Sequence, residues 1–422
     1  MEDMQKKTRL FGLAVIGGGA SGLFAAVQAA TAASQNDVPV RITVFEAEQR
    51  VGKKLLGTGN GRCNLSNLHL SELFYYGDQA LIQSVLSSFT GEQTLSYFFE
   101  NGLYTRADYA GRVYPACNQA TAVLDFLRSK CELLQVQIIT QTPVVSLEKL
   151  QSGFLINRRF YADAVIYSCG SPAGQMKTDI SMKLLHAMQV EIVPFLPALC
   201  PLKINRFTRS LKGVRAQGYA RLYMDGKLSA EDLGEIQYTE YGISGIPVMQ
   251  LSCAAAEGLA QKKKVTVTID SVPDIQADKL FCLLQTVIRQ NGQIALQVLL
   301  GGFVHKRLGD YFIRASGLRP DQTADSISEA DLQQLVDFMK KTEYPVENTL
   351  GFSHAQVALG GIPASEVNIS TLEFKKIKGL FVCGEALDVA GRCGGYNLQW
   401  AWSSGYVAGV HAIEGFRFDQ NK

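Results

Sequence analysis

An α/β fold built on a parallel sheet is what this sequence predicts, and three stretches predict it. Residues 13–22, LAVIGGGASG, place an apolar run directly ahead of a glycine cluster. LFAAVQAATAAS then forms an alanine-rich helix without proline, and RITVFEA a second strand ending at Glu46. Near the other end, KIKGLFVCGEALD is an apolar strand from Leu380 to Cys383, and GGYN opens a long helix, NLQWAWSSGYVAGVHAI. Together they predict a Rossmann-like α/β domain in two parts, separated by an insertion of different pattern.

The first stretch carries chemistry. Gly17-Gly18-Gly19-Ala20-Ser21-Gly22 fits G-x-G-x-x-G, and Glu46 follows Gly22 by 24 residues. Gly17 permits the tight turn, Gly19 lets backbone approach a pyrophosphate, and Gly22 lets helix and strand pack closely. The first helical N–H groups, from Ala20 and Ser21 onward, and the positive dipole end suit phosphate. Glu46 suits a ribose diol, and an acid there argues against a 2′-phosphate. Alone the glycine pattern is a common turn. In this order with strand, helix and acid it predicts bound NAD or FAD.

Eleven residues after Glu46 the chain reads GTGNGRCNLSN, 57–67. Such glycine content is unsuited to a helix or strand interior, and its bland reading is a flexible surface loop. Beside a dinucleotide it has a use: Gly59 and Gly61 expose backbone N–H groups, Lys54 and Arg62 offset phosphate charge, and Asn64 bonds a polar ring edge.

Composition sets the bounds. The chain has 422 residues, 47% hydrophobic and 19% charged, enough for more than one domain. A formal charge of +2 does not announce a nucleic-acid or membrane-surface protein. The start runs straight into the strand with no cleavage pattern, and no apolar run is long enough to span a bilayer. Nine scattered cysteines without C-x-x-C spacing, and five separated histidines, predict no metal site and a reducing, cytoplasmic setting.

KKLLGTGNGRCNLSN resembles the G-(R/K)-K-x-L-x-S-G-G-G-R-C-N-x-T-N signature of a bacterial flavoprotein family. Its members include aminoacetone-oxidase-like, bile-acid Δ4,6-reductase-like and ribosomal-RNA dihydrouridine-synthase-like proteins. GLFVCGEALDVAGRCGGYNLQWAWSSGYVAG, 379–409, is similar to that family's second signature. The resemblance implies FAD, with Val144 on the adenine side and Gly170, Gly384, Glu385, Asp388, Gly395, Asn397 and Leu398 joining the cofactor residues. The helix opening at GGYN then aims its N-terminus at the flavin's N1/C2=O edge. The chain departs from the pattern at TGNG for SGGG, at Ala358 for threonine, and at GSPAGQMKTDIS, 170–181, for a glycine-rich segment.

Short strands fill 134–170. RLYMDGKL is a hairpin with a D-G turn, KKKVTVTID an alternating strand, and 277–342 mostly helix. The resemblance makes the insert a β-barrel plus a small helical cap, giving boundaries at 1–194, 195–272, 273–342 and 343–422. Within it Tyr241 is a candidate proton donor or a packed barrel residue. In the first part Arg112 of GRVYP binds a carboxylate or braces its loop. Lys203, Arg206, Arg209, Lys212, Arg215 and Arg221 have no acid between them and form either an anion-steering patch or a solvated face.

The preferred function is an FAD-dependent reductase of a conjugated C=C in a steroid- or bile-acid-like enone, with hydride passing from flavin N5. With no second fingerprint, NAD(P)H as reductant docks without a Rossmann domain of its own. The alternatives are reduction of a uracil C=C in ribosomal RNA, amine oxidation by oxygen, and a flavin-binding protein without catalysis.

Overall fold

The computed structural model describes residues 10–174, 179–204 and 209–420. It divides into two units, Met1–Phe195 with Val357–Lys422, and Leu196–Gln356.

The first unit is built on the predicted parallel sheet. β1 (Phe11–Ile16) pairs on one side with β2 (Val40–Phe45) and on the other with Ala164–Tyr167. The order is completed by Gln137–Ile139 beyond β2 and Leu380–Val382 beyond Ala164–Tyr167. The last strand enters from beyond the insert. A three-stranded ribbon, Leu147–Lys149, Phe154–Ile156 and Phe160–Ala162, accounts for the short apolar runs before the returning strand.

α1 (Ala20–Gln35) is buried along most of its length, which explains its alanines. The C-terminal helix Tyr396–Gln420 lies against it at glycine contact distance. A Cβ on Gly405 would stand 2.8 Å from the Ser21 carbonyl, and one on Gly409 2.4 Å from that of Ala25. Phe24 of α1 closes the seam edge-on to Trp402, with ring centroids 5.4 Å apart.

The second unit holds a closed six-stranded barrel. Its strands are Leu202–Ile204, Arg215–Met224, Lys227–Tyr238, Gly242–Ser244, Val265–Asp270 and Thr342–Thr349. The D-G turn forms as predicted, with Asp225 at φ 47° and Gly226 at φ 80°. Four helices between Ala277 and Lys340 precede the final strand. Val265–Asp270 differs from its alternating pattern: all six residues are buried. Val265, Val267 and Ile269 join the unit's core, while the intervening face is covered too, and Lys340 pairs with Asp270 at 2.7 Å.

Candidate functional site

The β1–α1 turn is shaped by what cannot fit there. Gly17 has φ 107°, and a Cβ would meet the Ser168 carbonyl oxygen at 2.6 Å. A Cβ on Gly22 would stand 2.0 Å from the Gly17 oxygen. At Gly19 the space is open, with nothing within 4 Å. Gly19 is also the N-cap of α1 and supplies no side-chain acceptor, so the first-turn N–H groups at Ala20 and Ser21 face no cap. Gly18, a variable position in the fingerprint, is constrained as well: its Cβ would meet Val51 Cγ1 at 2.5 Å. Its N–H donates to Glu46 Oε2 at 2.9 Å, and the Glu48 N–H donates to Oε1 at 2.8 Å. Glu46 therefore shapes the turn while remaining half-buried at its mouth. The Thr142 N–H donates to the Glu46 carbonyl at 2.8 Å, which brings the segment holding buried Val144 to the same sheet end.

The glycine-rich loop is ordered. After the short helix Lys53–Gly57, Gly59, Asn60, Gly61 and Cys63 all have positive φ, between 56° and 81°. Arg62 lies over the Tyr114 ring, 4.9 Å from its centroid. Asn64, in the amide orientation its neighbours dictate, donates to the Val113 and Ser66 carbonyls and accepts from the Gly395 N–H at 3.1 Å. That amide is engaged within the chain, which disfavours the predicted bond to a ring edge. Asn397 behaves alike, bonding both the N–H and carbonyl of Gly391 at 2.8 Å. In both signatures the asparagines brace backbone, leaving the first-turn N–H groups of Tyr396, Asn397 and Leu398 without intrahelical acceptors.

A buried polar chain joins the two signatures, and sequence reasoning missed it. Ser66 donates to Gln399 Oε1 at 2.7 Å, and Gln399 Nε2 donates to Thr94 and Ser403. Asn67 donates to the Gly394 carbonyl at 2.8 Å. Trp402 and Trp400 donate to the carbonyls of Leu65 and Gly384, at 2.9 and 3.0 Å. Gly395 must be glycine, because a Cβ would stand 2.2 Å from the Ser66 oxygen. The alternation of Gln, Trp and Ser along NLQWAWSS was the available signal.

Lys54, predicted to face phosphate, pairs with Glu385 at 2.5 Å. Glu385 also accepts from Ser171 at 2.7 Å and from the Ala358 N–H at 3.1 Å. Asp388 accepts from the Gly360 N–H at 2.9 Å; burial pushes its carboxyl up and that bond opposes the rise. Gly170, at φ 71°, and Gly384, at φ 74°, stand at the ends of adjacent strands, Gly170 with open space around it. Of the departing 171–181 segment, residues 175–178 lie outside the described residues.

Arg112 takes its place on the strand Arg112–Pro115, opposite Asn67. In the second unit, Tyr241 is half-buried with its ring 6.5 Å from that of His354. The described basic side chains of the run are matched by carboxylates from neighbouring strands and turns. Lys203 pairs with Glu347 at 3.3 Å, Lys212 with Glu240 at 2.5 Å, Arg215 with Glu235 at 3.7 Å and Arg221 with Glu231 at 3.3 Å. Arg206 and the Arg209 side chain lie outside the described residues. Cys63, Cys131 and Cys383 are buried, and burial pushes their thiols up to about 12. Among the described residues no group of three or more His, Cys, Asp or Glu can hold a metal, and no helix is long and apolar enough to cross a membrane.

A family profile described as the HI0933-like protein Rossmann domain matches residues 11–411. A protein of Clostridium scindens named 3-dehydro-bile acid Δ(4,6)-reductase is 37% identical over 410 residues, covering 95% of this chain and 99% of that one. A protein of Haemophilus influenzae named ribosomal RNA dihydrouridine synthase is 25% identical over 410 residues, covering 94% and 97%. Among solved structures, a 3-ketosteroid Δ1-dehydrogenase from Sterolibacterium denitrificans aligns with TM-score 0.49 and 12% identity, over 96% of this chain and 100% of that one. The chain belongs to the HI0933-like Rossmann family and is a flavin-dependent oxidoreductase.

Proposed function

We propose that this enzyme reduces a conjugated carbon–carbon double bond in a steroid- or bile-acid-like ketone, using FAD and a pyridine dinucleotide as reductant, in the cytoplasm. The observation that carries this reading is the 37% identity, nearly end to end, with a protein named for bile-acid Δ(4,6) reduction. When bound, FAD supplies hydride at N5.

The residues fit that cofactor. The open backbone at Gly19, with the uncapped start of α1, suits a diphosphate, and Glu46 retains lone pairs for a ribose. Gly59, Gly61 and Arg62 would line the ring side with the first turn of the C-terminal helix, which favours negative charge. Lys54 and Glu385 hold one another across the two signatures and so fix the loop beside the ring.

A second reading, reduction of uracil in ribosomal RNA, is supported by the 25% identical relatives named for that reaction. The barrel's paired cations make it the weaker one, since RNA affinity draws on unpaired positive charge. The test is anaerobic. Purified protein should release FAD on heating, and its chemically reduced form should be reoxidised by a conjugated 3-oxo bile acid. Failure with every enone, alongside dihydrouridine formation in an rRNA fragment, would transfer the assignment to RNA.

A further inference from the structure

The sheet that follows the glycine-rich loop carries a strip of arginine and tyrosine that the cofactor assignment does not use. Its strands are Ser66–Asn67, Arg112–Pro115 and Thr105–Ala107, in that order. Pairing puts Arg106 opposite Tyr114 and Asn67 opposite Arg112. Because side chains alternate along a strand and directly paired residues share a face, Arg112, Tyr114, Arg106 and Tyr104 lie on one side. Val113 points the other way, 1% exposed, into the core.

We propose that this face binds the pyridine dinucleotide that reduces the enzyme, a proposal that rests on the reductase reading above. Tyr104 is 57% exposed, and the Arg106 guanidinium carbon lies 5.8 Å from its ring centroid. Arg62, from the neighbouring cofactor loop, covers the buried Tyr114 ring, 4.9 Å from its centroid. Flat phenol and guanidinium faces accept a base or nicotinamide, and guanidinium edges bind phosphate oxygens in pairs. A nucleotide presents both groups.

Charge separates this strip from the barrel. Among the described residues, neither Arg106 nor Arg112 of the strip pairs with a carboxylate, whereas the described basic side chains of the 203–221 run do. The nearby Asp108 carboxylate accepts from the Ala110 and Arg112 backbone N–H groups. The strip also leads to the start of the C-terminal helix. Burial raises the Tyr396 hydroxyl's pKa, and the charges of Arg392 and Arg112 oppose the rise. The unpaired charge is local, a few residues wide. That scale suits a free dinucleotide and not a polyanion such as RNA, which needs a longer run of contacts.

The test uses FAD-loaded protein and two exposed substitutions, Tyr104→Ala and Arg106→Gln, neither in the proposed cofactor cradle. Calorimetry with tetrahydro analogues of NADH and NADPH, which cannot donate hydride, should show Kd raised about 10-fold by either change. FAD content and Tm should stay as in the parent. In anaerobic stopped-flow, half-saturation for flavin bleaching should rise by the same factor with the limiting rate unchanged. Parent-like Kd in both variants would overturn the proposal. So would weakened binding of the enone or of an rRNA fragment with dinucleotide binding intact. If the parent binds neither analogue the strip proposal falls, while reoxidation of dithionite-reduced enzyme by the enone still judges the reductase reading separately.

Discussion

In the turn between β1 and α1, a methyl group has no room at Gly17, Gly18 or Gly22. On the barrel strand Arg215–Met224, the charged side chains reach solvent and meet carboxylates on the neighbouring strand. One region is fixed by backbone approaching backbone within van der Waals distance. The other is held by long side chains that can reorient at little cost. Tolerance to substitution should follow that difference.

The largest effect should come at Gly22. Gly22→Ala brings a carbon to 2.0 Å from the Gly17 oxygen, a conflict beyond the about 1–3 kcal/mol of ordinary overpacking. Loss of bound flavin and of cooperative thermal unfolding is expected. Gly19→Ala, in open space, should keep the parent Tm while flavin retention falls. Equal Tm losses in the two would erase the contrast between a packing glycine and an approach glycine.

Glu46→Ala comes next. It removes a charged acceptor from the Gly18 and Glu48 N–H groups, worth about 1.5–3 kcal/mol. Denaturant unfolding should register that loss, and flavin should be held less tightly. A change in flavin affinity with unaltered stability would assign Glu46 to the ribose alone.

Alkaline pH should produce a graded effect. Cys63, Cys131 and Cys383 keep their protons up to about 12, whereas an unfolded thiol loses its proton near 9.0. Above that value the unfolded chain binds fewer protons than the folded one, so stability is complete below pH 9.0 and falls as pH rises toward 12. Cys63→Ser should keep flavin and turnover and make that fall shallower in unfolding curves taken between pH 8 and 11. At pH 8 a thiol reagent should modify exposed Cys117 and Cys282 and spare the buried three.

The smallest effect belongs to the barrel. Reversing Arg221 to Glu should cost less than about 1 kcal/mol, and pairing it with Glu231→Arg should recover most of that. Turnover of acidic and neutral substrates should change alike. A salt-sensitive drop in kcat/KM for acidic substrates alone would restore this face as a steering surface.

The parallel sheet, its fingerprint and the C-terminal strand and helix were legible because each depends on neighbours close in sequence. Gly17, Gly19 and Gly22 announce the turn through their spacing. The bracing roles of Asn64, Asn397 and Lys54 were not legible. Their partners, Gly395, Gly391 and Glu385, are chosen by the fold, and a polar side chain near a binding loop looks alike whether it faces a ligand or another loop. The basic run stayed open between two readings for the same reason: the acids that pair with Lys203, Arg215 and Arg221 arrive on other strands. Val265–Asp270 shows the complementary failure, since alternation records only one packed face and the covering of the second is a tertiary event.

The order of the parts along the chain has a consequence for biosynthesis. The parallel sheet lacks its strand Leu380–Val382, and α1 its partner helix Tyr396–Gln420, until the ribosome has passed the whole insert. Every strand of the barrel is by then already made, because the last ends at Thr349. The barrel can therefore mature during translation, while α1, with its seam of small residues uncovered, waits for the helix Tyr396–Gln420 to be made. Until then this segment is open to aggregation and to chaperone capture. Flavin capture then follows synthesis of the insert and of that helix.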